Sequence, residues 1–189
     1  LHTAYRRQRQ MCIRDRFLRL WYEVRFENIK FGNESVDALY SVYEKWFPYN
    51  KGGDYRKWYG NDEYLINYGC NGEEIKKYGH LVARSMKYQF RESITWNKIT
   101  SSTTGFRYKP TGTMFDVGGL SLFPNDFELL NYFLAFCNSV VAKIILEIIS
   151  PTLNCETGHV GALPIKIQRE QETTNITNEC IESSRTDWD

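Results

Sequence analysis

The sequence predicts an α+β fold: a twisted, mostly antiparallel sheet packed against a long buried helix. Three observations predict it. Between residues 17 and 117, short stretches rich in Tyr, Trp, Phe, Ile and Thr are punctuated by Gly-, Asn- and Pro-containing turn signals, the pattern of short strands. The run ELLNYFLAFCNSVVAKIILEII, residues 128–149, is too long for a strand and is apolar around most of a helical cylinder. Hydrophobic residues make up 42% of the chain, enough for a real core, which excludes wholesale disorder.

The elements follow in order. Residues 17–31 (FLRLWYEVRFENIKF) come close to alternation after Trp21 and predict one or two short strands. Residues 35–46 (SVDALYSVYEKW) open on a Ser cap and place Val36, Leu39, Tyr40 and Tyr43 at helical spacing. Tyr49-Asn-Lys-Gly-Gly-Asp is a loop. DYRKWY (54–59) and YLINY (64–68) read as strands around Gly60-Asn61-Asp62. Residues 71–86 predict a polar helix weakened by Gly72 and Gly79, and residues 88–99 a strand pair. Residues 105–108 and 113–117 predict two further strands joined by the turn signature Lys109-Pro-Thr-Gly. Asn125 or Asp126 caps the long helix, which stops at Pro151. The polar stretch after Ile167 reads as a surface helix or a frayed end.

Charge is unevenly distributed. Residues 45–110 hold twelve Lys and Arg against six acids, whereas residues 111–189 hold four against eleven. A basic middle segment is what a polyanion-binding face would carry, and is also what a solvated surface can show by chance clustering. The five cysteines, at positions 12, 70, 137, 155 and 180, form no CxxC pair, which points to reduced thiols in a cytoplasmic setting and excludes a zinc ribbon. The run from Val140 to Ile149 is too short for a membrane span and includes Lys143 and Glu147, so no membrane partner is expected. The opening TAYRRQRQMCIRDR resembles translated sequencing-adaptor sequence. Residues 1–16 are therefore expected to be a non-native leader, residues 17–168 one domain, and residues 169–189 a polar tail that starts a following segment.

Catalytic signatures are missing from the sequence. It has no Gly-rich phosphate loop, no HExxH, no GxSxG and no Cys₂His₂ spacing. His80 and His159 stand in unrelated contexts, each without an obvious carboxylate or nucleophile partner. Recognition chemistry remains. Lys51, Arg56, Lys57 and Tyr59 crowd around a Gly-Gly loop, mixing phosphate-neutralising cations with a stacking ring. Lys98, Ser101, Ser102, Thr103, Thr104 and Arg107 set hydroxyls and cations along a second flexible stretch, suited to phosphate and base-edge hydrogen bonds. Trp58 and Trp96, taken singly, read as core residues.

A run of ordered motifs adds a resemblance. YNKGGDYRKWYGNDEYLINY, GEEIKKYG, SITW, FRYKPTGTMFDVGGLSLFP, LLNYFLAFCNSVVAKII and PTLNCETGHVGALPI, with a terminal RTDWD, resemble the C-terminal target-recognition region of the PglX-like adenine methyltransferases of BREX phage defence. The resemblance spans residues 21–189. It implies double-stranded DNA as partner, an upstream methyltransferase domain of the same polypeptide, other defence-system subunits and a prokaryotic cytoplasm. It also implies S-adenosylmethionine in the parent enzyme but no cofactor in this part, because the family's Asn-Pro-Pro-Tyr motif does not occur here. Two other readings stay open: the specificity part of a restriction-modification fusion, and a protein-interaction domain that does not touch DNA.

Overall fold

The computed structural model describes residues 16–78, 86–100 and 103–188. The fold is α+β, as predicted, and its strands fall into two small sheets belonging to two compact units.

The first unit takes residues up to 50, residues 62–91 and residues 111–116. Its sheet has the order β1 (Leu18–Leu20), β3 (Tyr64–Asn67), β2 (Trp46–Asn50), β6 (Met114–Phe115). The β1/β3 and β2/β3 ladders are antiparallel and the short β2/β6 ladder is parallel. Phe17, Phe47, Tyr49, Ile66, Tyr68, Phe90 and Met114 make its core, joined by Leu39 and by Ile75 of helix α1 (Gly69–Tyr78). Cys70, Asn71 and Gly72 at the start of α1 adopt left-handed angles, so the right-handed helix begins only after them.

The helix expected over residues 35–46 does not form. Only a 3₁₀ turn at Asp37–Tyr40 survives, with the Ser35 hydroxyl accepting from the Ala38 amide as the predicted cap. Sheet pairing draws in its end: the Lys45 and Trp46 carbonyls accept from the Tyr68 and Lys30 amides, and β2 starts at Trp46. Tyr43, counted on the apolar face by spacing, is 99% exposed.

The second unit takes residues 51–61, 92–110 and 117–189. Its sheet is wholly antiparallel, with β4 (Ser93–Asn97) between β5 (Arg107–Lys109) and β7 (Gly119–Leu122). The expected strand pair over 88–99 is this single strand, because Phe90 turns the backbone at φ 68° before it. The expected strand over 54–59 is a loop that pairs with β5 at the Trp58–Arg107 bridge.

The long apolar run is two helices. A 3₁₀ turn capped by Asp126, whose carboxylate accepts from the Glu128 amide, leads into α2 (Leu130–Asn138). Ser139 is extended, and its hydroxyl accepts from the Ala142 amide to start α3 (Val140–Ile149) at 69° to the preceding segment. Leu130, Leu134 and Cys137 of α2 are buried with Ile94, Trp96 and Phe106. By contrast, α3 buries only Ala142 and Leu146 and exposes Val140, Val141, Ile144 and Ile148. A short helix α4 (Thr157–Gly161) follows, and then α5 (Glu170–Trp188), which lies against α2 with Ile181 in the core. Among the described residues no single helix is long and apolar enough to cross a membrane.

Candidate nucleic-acid interface

Every described candidate contact residue belongs to the second unit. The loop from Lys51 to Asn61 is unusually constrained. Gly52, Gly53, Trp58, Gly60 and Asn61 all have positive φ, and for Trp58 that conformation is sterically disfavoured. Backbone bonds on both sides of Trp58 hold it: its amide donates to the Phe106 carbonyl at 2.8 Å, and its carbonyl accepts from the Tyr108 amide at 2.7 Å. The far end of the loop is pinned by Lys109, 1% exposed, whose ammonium donates to the Gly60 and Asn61 carbonyls at 2.9 and 3.2 Å. Gly105 lets the chain pass, since a Cβ there would run into the Arg56 carbonyl oxygen.

On this scaffold the cations divide. Arg56 stacks at 4.6 Å over the Trp188 ring and pairs with Asp187 at 3.1 Å. Tyr59 lies under the Arg185 guanidinium at 4.9 Å, so the last turn of α5 rests on this loop. Lys57 donates to the Asn138 carbonyl at 3.1 Å, at the negative end of α2. Lys98 is ion-paired with Glu156 at 2.9 Å. Lys51 is half-buried at the start of the loop.

Arg107 departs from the expectation. It is 0% exposed, donating to the Asn97 side-chain oxygen at 2.8 Å and to the Arg56 carbonyl at 3.5 Å. A guanidinium so placed braces the loop from inside and offers nothing to a phosphate at the surface. Strand alternation is the reason: Arg107 and Lys109 share one face of β5 and both are buried.

Thr103 and Thr104 are half-buried and, with Thr100, line a cavity of about 330 Å³ whose far wall is the end of α3 and the following loop. Ser101 and Ser102 lie outside the described residues, as does His80. His159 is structural: its Nδ1 accepts from the Glu156 amide and caps α4.

Electrostatics disfavour a nucleophile here. Burial pushes the Cys137 thiol up to about 12, and burial also raises Cys155, with a Thr104 hydrogen bond acting partly against it. Both stay protonated near neutrality, and it is the thiolate that reacts. The Tyr108 phenol is pushed up to about 12 by burial and by Glu92, whose carboxylate accepts its hydroxyl at 3.0 Å. Among the described residues no three His, Cys, Asp or Glu gather where they could hold a metal ion.

Two supports were missed in the sequence. Lys109 was placed in a turn signature, and Asn138 was counted as part of an apolar helix. The Asn138-Ser139 pair inside an otherwise apolar run was the available signal, since this dipeptide suits a helix end followed by a new cap.

Fold and site together describe an α+β chain built to hold cations, hydroxyls and amides on braced loops. No family profile matches it. It is 42% identical over 179 residues to the adenine-specific methyltransferase PglX of Lacticaseibacillus casei, a match taking in 91% of this chain and 15% of that protein. It is 40% identical over 178 residues to the adenine-specific methyltransferase BrxX of Escherichia coli O9:H4, covering 92% of this chain and 14% of that protein. The chain is thus homologous to a segment of the PglX-like adenine-specific methyltransferases of the BREX type, about one-seventh of their length.

Proposed function

We propose that this chain is the DNA target-recognition part of an adenine-N6-specific methyltransferase of a phage-defence system. The observation that carries the reading is the homology to one-seventh of such enzymes in a sequence without an Asn-Pro-Pro-Tyr run or a Gly-rich cofactor loop. Catalysis and S-adenosylmethionine belong, on this reading, to the rest of the parent polypeptide. An enzyme acting on a ring-borne amino group must turn the base out of the helix, so a separate element has to hold the duplex in register. Lys51, Arg56, Lys57 and Lys98 are the cations for phosphates, Tyr59 packs beneath the backbone, and Ser101, Ser102, Thr103 and Thr104 donate hydroxyls. Arg107 contributes by bracing the loop.

The test is a mobility or anisotropy titration of the chain against a duplex at several salt concentrations. Binding should weaken linearly on a log–log plot with a slope of roughly −0.9 per phosphate neutralised. Absence of duplex binding at low salt would refute the reading. A methyl-transfer assay on the chain alone should give no product.

The exposed aliphatic face of α3 favours a second, compatible contact. Val140, Val141, Ile144 and Ile148 are between 51% and 73% exposed, and the relatives carry some six-sevenths of their length outside the matched segment. We assign this face to docking against the remainder of the parent polypeptide.

A further inference from the structure

Two loops of the second unit meet where Ile99 and Asn154 form an antiparallel bridge. The Thr100 amide donates to the Leu153 carbonyl at 3.0 Å, and the Cys155 amide donates to the Lys98 carbonyl at 2.8 Å. Residues 98–100 and 153–155 thereby form a minimal ladder whose outer edge faces solvent. Behind it, Thr100, Thr103, Thr104 and Thr152 surround the cavity described above.

The side chains on that edge form an unusual set. Ile99 and Leu153 are 66% and 63% exposed, two large aliphatics held out into water by a fixed backbone. Asn154 is exposed and, as the bridge partner of Ile99, shares its face. Its main chain is committed: the amide donates to the Thr152 hydroxyl and the carbonyl accepts from the Ser150 hydroxyl at 2.7 Å. Among the described residues its carboxamide makes no hydrogen bond. Turn-forming asparagines usually satisfy their own backbone with the side chain. Here hydroxyls do that work instead and leave the carboxamide free. Lys98 stands alongside, ion-paired to Glu156.

A free carboxamide beside an exposed aliphatic has a specific complement. In the major groove, adenine offers an N7 acceptor and an N6 donor that a carboxamide meets with two hydrogen bonds, and the thymine methyl takes an aliphatic contact. We infer that Asn154, with Ile99 beside it on the same face, reads an A·T base pair of the bound duplex. The inference rests on the DNA-recognition reading and names a residue that confers its specificity.

The experiment is selection of bound duplexes from a randomised library by the wild-type chain, Asn154→Ala and Asn154→Asp, with thermal melts to confirm folding. Asn154 is exposed and its side chain supports nothing, so both variants should fold. The wild type should enrich a motif containing an A·T pair that Asn154→Ala no longer requires. Affinity of Asn154→Ala for the wild-type motif should fall about tenfold or more, while affinity for a duplex changed at that pair should stay the same. Asn154→Asp should shift that position toward C, whose amino group a carboxylate accepts from. Identical motifs from all three proteins would overturn the inference, as would a wild type that binds duplex but enriches nothing. A wild type that binds no duplex at all would sink the DNA-recognition reading itself, and this inference with it.

Discussion

The Asn138 side chain closes both backbone polar groups of Phe106, donating to its carbonyl at 2.9 Å and accepting from its amide at 3.1 Å. Phe106 begins the segment that leads into β5, so this pair fastens the end of α2 to the sheet edge beneath the candidate interface. The Asn138 carbonyl meanwhile accepts from Lys57. Asn138→Ala would leave the buried Phe106 amide unpaired, at about 1–3 kcal/mol, while the Phe106 carbonyl keeps the Trp58 amide. Urea denaturation should show a loss of roughly 1–3 kcal/mol for Asn138→Ala and a smaller loss for Asn138→Asp, which keeps the acceptor arm. Equal stabilities for wild type and Asn138→Ala would show that the clasp holds nothing.

Glycine substitutions should separate a close approach from an open position. A Cβ at Gly105 would meet the Arg56 carbonyl, a backbone atom that cannot turn aside. Gly105→Ala should therefore destabilise the chain by roughly 1–3 kcal/mol, the range for overpacking. At Gly158, in α4, an added Cβ meets nothing within 4 Å. Gly158→Ala should be neutral or stabilise by up to ~1 kcal/mol, because alanine is the better helix former. Thermal melts of the two variants check the contrast.

Stability should decline in alkali because of buried groups that resist ionising. Cys137 is raised to about 12 in the fold from an ordinary value near 9.0. Below pH 9 both folded and unfolded thiols are protonated, and the full stability is present. Between pH 9 and 12 the unfolded thiol ionises while the folded one does not, so stability falls as pH rises. At pH 10.5 the loss assigned to Cys137 is roughly 1–2 kcal/mol, from about 1.4 kcal/mol per unit of pH. Cys137→Ala, less stable at every pH because it leaves a cavity, should show a shallower decline. Parallel urea midpoints between pH 8 and 11 would assign the slope to other groups.

What the sequence revealed of this molecule depended on whether the signal was local. The Asp126 cap, the stop at Pro151 and the strand at Tyr64–Asn67 are set by neighbours in the chain and were legible. The 35–46 segment was misread because its Ser cap and apolar spacing are genuine, yet sheet partners distant in sequence claim its last carbonyls. Arg107 was misread for a related reason. A cation on a short strand looks like surface, and only the loop of residues 51–61 folding over β5 supplies the carbonyls that let it be buried. The family resemblance, by contrast, lay in motif order and needed no three-dimensional information.

The α3 face should behave as an interface rather than as core. Ile144 and Ile148 are 51% and 73% exposed, so replacing both with Lys removes little buried area. The double variant of the chain should keep its melting temperature within a few degrees and scatter less light at high concentration, since an exposed aliphatic patch drives association. In the full parent polypeptide the same change should weaken protection of the segment against limited proteolysis. A large loss of stability in the isolated chain would mean the residues are core after all.

The ion pair between Arg56 and Asp187 opposes the role assigned to Arg56. Asp187 sits on the last turn of α5, its side chain 76% exposed, 3.1 Å from the guanidinium. An exposed pair of this kind contributes about 0–1 kcal/mol, so a phosphate can displace it. Removing the competing charge should favour the phosphate. Asp187→Asn is expected to tighten duplex binding about two- to fivefold at low salt, within the energy of a surface pair. Arg56→Ala should weaken binding and flatten the log–log salt slope by roughly one unit. In the Arg56→Ala background, Asp187→Asn should have no specific effect beyond the loss of one negative charge. A double-mutant cycle in fluorescence anisotropy at three salt concentrations measures the coupling. Additivity would place the Arg56 guanidinium away from the phosphates and leave Lys57 and Lys98 as the contacts.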